Sequence, residues 1–100
     1  MAGSKPYRLH RLAWQEIEGA DDWYSQRSAD ASFRFIAAIS GAFDDISQAP
    51  RRWPKYLHGT RRLVLQRFPF PVVYLDDANV VNVVAVAHNK RRPGYWKDRL

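Results

Sequence analysis

Apolar and polar residues recur with two different periods along this chain, and the change of period divides it. From Ala13 to about Arg27, the residues Ala13, Ile17, Ala20 and Tyr24 return at spacings of four, three and four, which predicts a helix with one apolar face. A second helix is predicted from about Ala29 to Gln48, where Phe33, Ile36, Ile39, Ser40, Phe43 and Ile46 form one stripe with a single polar member. Ser28 stands where a cap is needed, Asp30 suits the first turn, and Pro50 and Pro54 stop the helix and keep it from resuming. Only Ser25 to Ser28 joins the two helices, so they are expected as an antiparallel hairpin. Glu16 and Glu18 are read as anions favoured by the dipole of the first helix. Trp14 and Trp23 flank its apolar face and are expected to pack on the sheet or the next helix. Gly41, beside the second stripe, is read as a point of close packing.

Past residue 60 the period shortens to two. Arg62 to Phe68 alternates, with Leu63 and Leu65 on one face and Val64 and Gln66 on the other. Phe70 to Leu75 follows a Pro-containing turn, and Val80 to Ala87 is almost continuously apolar, as in a strand covered on both faces. Asp76-Asp77-Ala78-Asn79 between them has turn chemistry. Strands this close in sequence pair most simply as an antiparallel meander. The short alternating stretch Pro6 to Leu12 is expected to join them, with His10 as an ordinary surface residue of that strand. Both helical stripes need one apolar surface to cover. The expected fold is therefore α+β: an N-terminal strand and an antiparallel helical hairpin packed on one face of a small, mainly antiparallel sheet, in a single domain over residues 1–100.

Composition narrows the chemistry. There is no Cys, which excludes disulfides and thiolate metal sites and fits a reducing compartment. The three His are scattered and make no metal-ligand cluster, so neither a metal nor another cofactor is expected. The opening MAGSKPYRLHR lacks the apolar run of a signal peptide, and no stretch approaches the ~20 apolar residues that span a bilayer. A soluble, cytoplasmic protein with no membrane partner is expected.

The net charge is +6 and it is unevenly placed. Residues 1–50 hold five Lys/Arg against seven Asp/Glu; residues 51–100 hold eleven against three. The basic half is the sheet half, and such a field attracts RNA, DNA or an acidic protein. In the loop APRRWPKYLHGT, residues 49–60, Arg51, Arg52, Lys55 and His58 are interleaved with Trp53 and Tyr56. That pattern suits nucleic acid, with charge for phosphate and rings for bases, and equally suits a loop tucked over the sheet edge. Arg51, Arg52, Lys55, Arg61, Arg67, Lys90, Arg91 and Arg92 form the candidate set for binding a target or a nucleic acid. Pro93-Gly94 signals a turn, after which Tyr95 and Trp96 are expected to fold back onto the body.

Several short words stand in a fixed order on this framework. They are Trp23-Tyr24, Phe33-Arg34-Phe35, Pro50, Arg61-Arg62-Leu63-Val64-Leu65, Arg67-Phe68-Pro69-Phe70, Val72-Val73-Tyr74, Ala85-Val86-Ala87-His88 and Tyr95-Trp96. Together they resemble the toxins of bacterial type II toxin–antitoxin systems, the RelE/ParE superfamily. The long helices, the FPF turn and the late AVAH word are most similar to its ParE-like branch of plasmid stabilisation proteins. The resemblance implies a toxin held silent by a cognate antitoxin, whose C-terminal segment wraps the sheet and the hairpin, in a heterotetramer or a larger complex. It also implies one of two targets: DNA gyrase for ParE-like members, or mRNA in the ribosomal A site for RelE-like members. Fold alone does not choose between them.

The two mechanisms make different demands. A metal-independent endoribonuclease needs a base for the 2′-OH, a phosphate clamp and an acid for the leaving oxygen. Arg62 and Arg67, both expected on the second strand, offer the clamp; Lys55 or His58 assists the attack; His88 or Tyr95 offers the acid. Arg62, His88 and Tyr95 are the candidate catalytic set on this reading. Each also has a plain role: Arg62 paired with a helix carboxylate, His88 bonded to the backbone at a strand end, Tyr95 packed. No Asp or Glu stands between Asp45 and Asp76, so the glutamate base that some nuclease relatives would lead one to expect there is missing. A gyrase inhibitor is not an enzyme and needs only a basic, aromatic surface, which loop 49–60 and segment 88–99 supply. Gyrase inhibition is the preferred expectation, with RelE-type mRNA cleavage as the alternative.

Overall fold

The computed structural model describes residues 4–100, so the first three residues of the expected domain lie outside it. The order is β1 (Tyr7–Leu9), α1 (Arg11–Ser25), α2 (Ala29–Gln48), β2 (Arg61–Val64), β3 (Pro71–Asp76) and β4 (Val81–Val86), with short 3-10 turns at Leu57–Gly59 and Lys97–Arg99. The sheet runs β1-β4-β3-β2: the meander is antiparallel, and β1 adds to β4 in parallel, Tyr7 opposite Val81.

Helix α2 has the expected bounds, and the Ser28 hydroxyl accepts from the Ala31 N–H at 2.9 Å. Helix α1 begins two residues earlier than the pattern indicated. His10 is its cap and not a strand residue: the Leu12 N–H donates to His10 Nδ1 at 3.0 Å, which ends β1 at Leu9. The phase of α2 also differs. Phe35, Ile39, Ala42, Phe43 and Ile46 are buried, whereas Phe33 and Ile36 of the expected stripe face outward, Phe33 at 73% exposure. Trp14 and Trp23 are exposed as well, not packed as expected, and Trp23 carries the Arg27 guanidinium 3.3 Å above its ring. Gly41 marks no close approach, since a side chain there would meet nothing within 4 Å.

Both helices lie on one face of the sheet. The core there joins Ala13, Ile17 and Ala20 of α1 and the α2 residues to Leu63, Leu65, Val72, Tyr74, Val81, Val83 and Val86. Strand β2 stops at Val64, so Arg67 sits in the turn beyond it, although Leu63 and Leu65 point inward and Val64 outward as read. A bulge opposite Val73/Tyr74 leaves Val84 unpaired. It turns the adjacent Val84 and Ala85 toward the second face while Val83 and Val86 stay on the first. That second face is covered without helices: Val73, Val84, Ala85 and Ala87 lie under Trp96, which is 2% exposed, with Tyr56 and Tyr95 beside it. Tyr95 and Trp96 thus fold back as expected, and β4 is covered on both sides.

The basic loop is tucked over the sheet edge. Its Trp53 packs against the helix-side core. His58 (φ 57°) and Gly59 (φ 78°) are both left-handed, which makes the tight turn that a twisted hairpin favours. The loop returns as an outer strandlet, with Lys55 bridged to Arg61 and the Arg62 N–H donating to Pro54 O at 3.1 Å.

Candidate target-binding surface

Alternation on β2 decides where Arg62 goes. Leu63 points to the helices, so Arg62, paired with Val73, emerges on the second face. It pairs with no helix carboxylate; its guanidinium lies 4.2 Å over the Tyr56 ring. Strand β4 ends at Val86 and delivers Ala87 and His88 to the same place, and the Pro93-Gly94 turn brings Tyr95 back over them. Arg62, His88 and Tyr95, distant in sequence, therefore line one narrow cleft of about 90 Å³, together with Asn89, Arg91 and Arg92.

His88 Nδ1 accepts from the Lys90 N–H at 3.1 Å, so the neutral ring carries its proton on Nε2, and the ring meets Phe70 edge-on at 5.1 Å. Tyr95 is committed elsewhere. Its hydroxyl donates to Glu16, and Arg91 covers its ring at 3.8 Å. Burial first, and then the Glu16 carboxylate, push its phenol well above the usual range against the opposing pull of Arg99 and Arg91. A phenol held this way is a poor proton source near neutrality.

Glu16 is the residue the sequence did not disclose. It lies past the first turn of α1, and its carboxylate bonds the open edge of β4 and the C-terminal segment instead of serving the helix dipole. Arg99 grips it with two bonds, Nη1 to Oε1 at 3.0 Å and Nη2 to Oε2 at 2.9 Å, and the Val86 N–H donates to it at 3.0 Å. Arg99 also donates to Val84 O at 3.0 Å. These bonds continue the β4 edge beyond the point where the three-residue β1 runs out. Holding Glu16 raises the Arg99 pKa, overcoming the opposing effect of burial.

The other candidates do not join this cleft. Arg51, Lys55 and Arg61 border a separate hollow of about 560 Å³ with Asp76. Two of its charges are already occupied: Asp76 binds Lys5 at 2.6 Å, and Arg61 donates to the carbonyls of Trp53 at 2.8 Å and Arg51 at 3.2 Å. Arg52 lies over Trp53 at 5.0 Å. Arg67 belongs to the helix side, where it borders a groove of about 760 Å³ with Tyr24, Phe33, Arg34 and Phe68. The Lys90 side chain lines none of these three. No group of three or more His, Asp or Glu among the described residues could hold a metal ion.

Known families bear on this arrangement. The family described as the ParE toxin of the type II toxin–antitoxin system parDE matches residues 7–93. No curated protein matches. Among solved structures, a chain of the chromosomal ParDE TA system from P. aeruginosa superposes with a TM-score of 0.73 at 15% identity, over 85% of this chain and 96% of that one.

Proposed function

The chain belongs to the ParE toxin family of type II toxin–antitoxin systems, and from that premise we propose that it acts by inhibiting DNA gyrase. As a type II toxin it has an antitoxin for a partner. One observation carries the choice of target. Glu16, the carboxylate bonded to the cleft's Tyr95, is saturated by Arg99, Tyr95 and the Val86 N–H, and the Tyr95 proton is committed to it. The cleft can hold an oxyanion, but of its two candidate acids Tyr95 is committed to Glu16, and His88 has one ring nitrogen taken by the Lys90 N–H. That supports a toxin that binds and stalls its target. Its surface would be the segment bearing Lys90, Arg91 and Arg92, next to Arg62. The outward Trp23 and Phe33, with Arg34 and Arg67 at the groove rim, support docking of an acidic amphipathic antitoxin segment there, in a heterotetramer or larger assembly. No helix among the described residues is long and apolar enough to cross a membrane, which accords with a cytoplasmic target.

The test is supercoiling by purified gyrase with antitoxin-free toxin. Inhibition that Arg91→Glu with Arg92→Glu abolishes, and His88→Ala leaves intact, is expected. A second reading, mRNA cleavage on the ribosome, has one observation in its favour: Arg62, His88 and Tyr95 do share a cleft. Supercoiling left untouched while ribosome-bound mRNA is cut, with His88→Ala abolishing the cut, would replace the first reading with the second.

A further inference from the structure

Several of the described cations are occupied: Arg99 grips Glu16, Lys5 binds Asp76, Arg34 pairs with Asp30 and Arg61 holds loop carbonyls. Arg62, Arg91 and Arg92, by contrast, form no ion pair or side-chain hydrogen bond among the described residues, and all three line the cleft of about 90 Å³. Two of them are nevertheless fixed in place. Arg62 is stacked on Tyr56 and Arg91 on Tyr95, and those rings are themselves anchored, Tyr56 against Trp96 at 6.1 Å and Tyr95 by its bond to Glu16.

Stacking takes up the face of a guanidinium and leaves its edge of N–H donors unused. Two such edges held over one cleft with Arg92 beside them, with no carboxylate in its lining and with the Tyr95-bound Glu16 already neutralised by Arg99, make a ready receptor for a doubly contacted oxyanion. We propose that this cleft is a binding site for the phosphodiester backbone of nucleic acid. The site is far smaller than the ~300–1,000 Å³ typical of whole small-molecule ligands, so it takes one phosphate of a longer chain. No base is read: the Tyr56 ring lies between Arg62 and Trp96, Arg91 covers Tyr95, and His88 is set against Phe70. Contact confined to phosphate positions a strand without regard to its sequence. The inference deepens the gyrase reading, since it would let the toxin hold the DNA that its target enzyme handles.

Fluorescence anisotropy with labelled single-stranded DNA, and with RNA of the same sequence, tests it on the toxin alone. Binding to both alike is expected, with log affinity falling linearly as log salt rises. Arg62→Gln and Arg91→Gln should each reduce that slope by about one. Arg8→Gln, which removes the same charge from β1 across β4 and β3, should not. Arg62→Lys keeps the charge but loses the planar fork, and should bind more weakly than the parent. Melting temperatures identify any variant that has merely unfolded. Three results would overturn the site: no binding by the parent, equal loss in Arg8→Gln, or full affinity in Arg62→Lys. A strong preference for RNA would also do so, because it requires contacts beyond the phosphate. Supercoiling inhibition by the same variants is read separately, so loss of oligonucleotide binding with inhibition intact would leave the site standing and detach it from gyrase.

Discussion

The two faces of the sheet are closed by different means. On the helix side, Phe35 is fully buried and meets Tyr24, Phe68 and Phe70 at ring separations of 5.1 to 5.5 Å, and the aliphatic residues of four strands and two helices fill the rest. On the other side, one indole, two tyrosine rings and an ion pair cover four small residues of β3, β4 and the segment just past it. The first face is dry and gains its stability from apolar area. The second is thin, and its cover also carries the unpaired arginines. A chain of 100 residues has room for only one deep core. The face that presents charge is therefore held by a few directional bonds.

The largest expected effect breaks both faces together. Phe35→Ala removes the centre of the aromatic cluster and should cost about 3–5 kcal/mol in denaturant unfolding. Because total stability for a domain of this size is about 5–15 kcal/mol, the second face should be lost in the same transition.

Glu16→Gln sharpens the contrast. It leaves Arg99, whose side chain is 12% exposed, without its carboxylate, and the remaining access to water moderates the cost to about 2–3 kcal/mol. The damage should be local. Amide exchange should quicken at Tyr95 to Arg99 and at Val86 while the α2 amides between Phe35 and Ile46 keep their protection. Equal acceleration in α2 would show that the faces are one unit and that the contrast is false.

The smallest effect is on pH dependence. The buried Tyr74 hydroxyl, on the helix side, donates to Pro50 O at 2.6 Å. Burial, the largest influence, and Asp76 raise its pKa to about 12, against the opposing pull of Arg61. A phenol whose folded pKa lies above its ordinary value of about 10 contributes fully below pH 10 and loses that contribution as pH rises toward 12. Stability should therefore fall in that window. Tyr74→Phe should cost about 1 kcal/mol at neutral pH and flatten the alkaline decline, leaving the parts due to Tyr95 and to Tyr24, whose phenol burial also raises. An unchanged decline in Tyr74→Phe, measured by chemical denaturation from pH 8 to 11.5, would show that Tyr74 does not drive it.

What could be read from the residues follows the range of the forces involved. Ser28 and Pro50 fixed the ends of α2 because capping and the missing proline N–H act locally. The alternation of Leu63, Val64 and Leu65 gave the faces of β2 for the same reason. The orientation of α2 was not legible, because Phe33 and Ile36 on one side and Phe35 and Ala42 on another are all apolar, and periodicity cannot tell which side the sheet takes. The exposed Trp14 and Trp23 misled in the same way. The candidate site was partly legible: Arg62, His88 and Tyr95 do converge, but Arg67 and Arg61 belong elsewhere. Glu16 gave no signal, since its partners Tyr95 and Arg99 lie 79 and 83 residues further along.

That separation has a consequence for the chain as it is being made. At translation rates of about 5–20 residues per second, Glu16 precedes Arg99 by roughly 4–17 seconds. For most of that interval β1 has no β4 to join, and to its end Glu16 has no Arg99 and the stacking platforms for Arg62 and Arg91 are incomplete. The basic surface is thus a late product of synthesis, assembled only after the helical hairpin has been exposed for some time. An antitoxin that recognises the hairpin can engage the nascent chain before there is anything to neutralise.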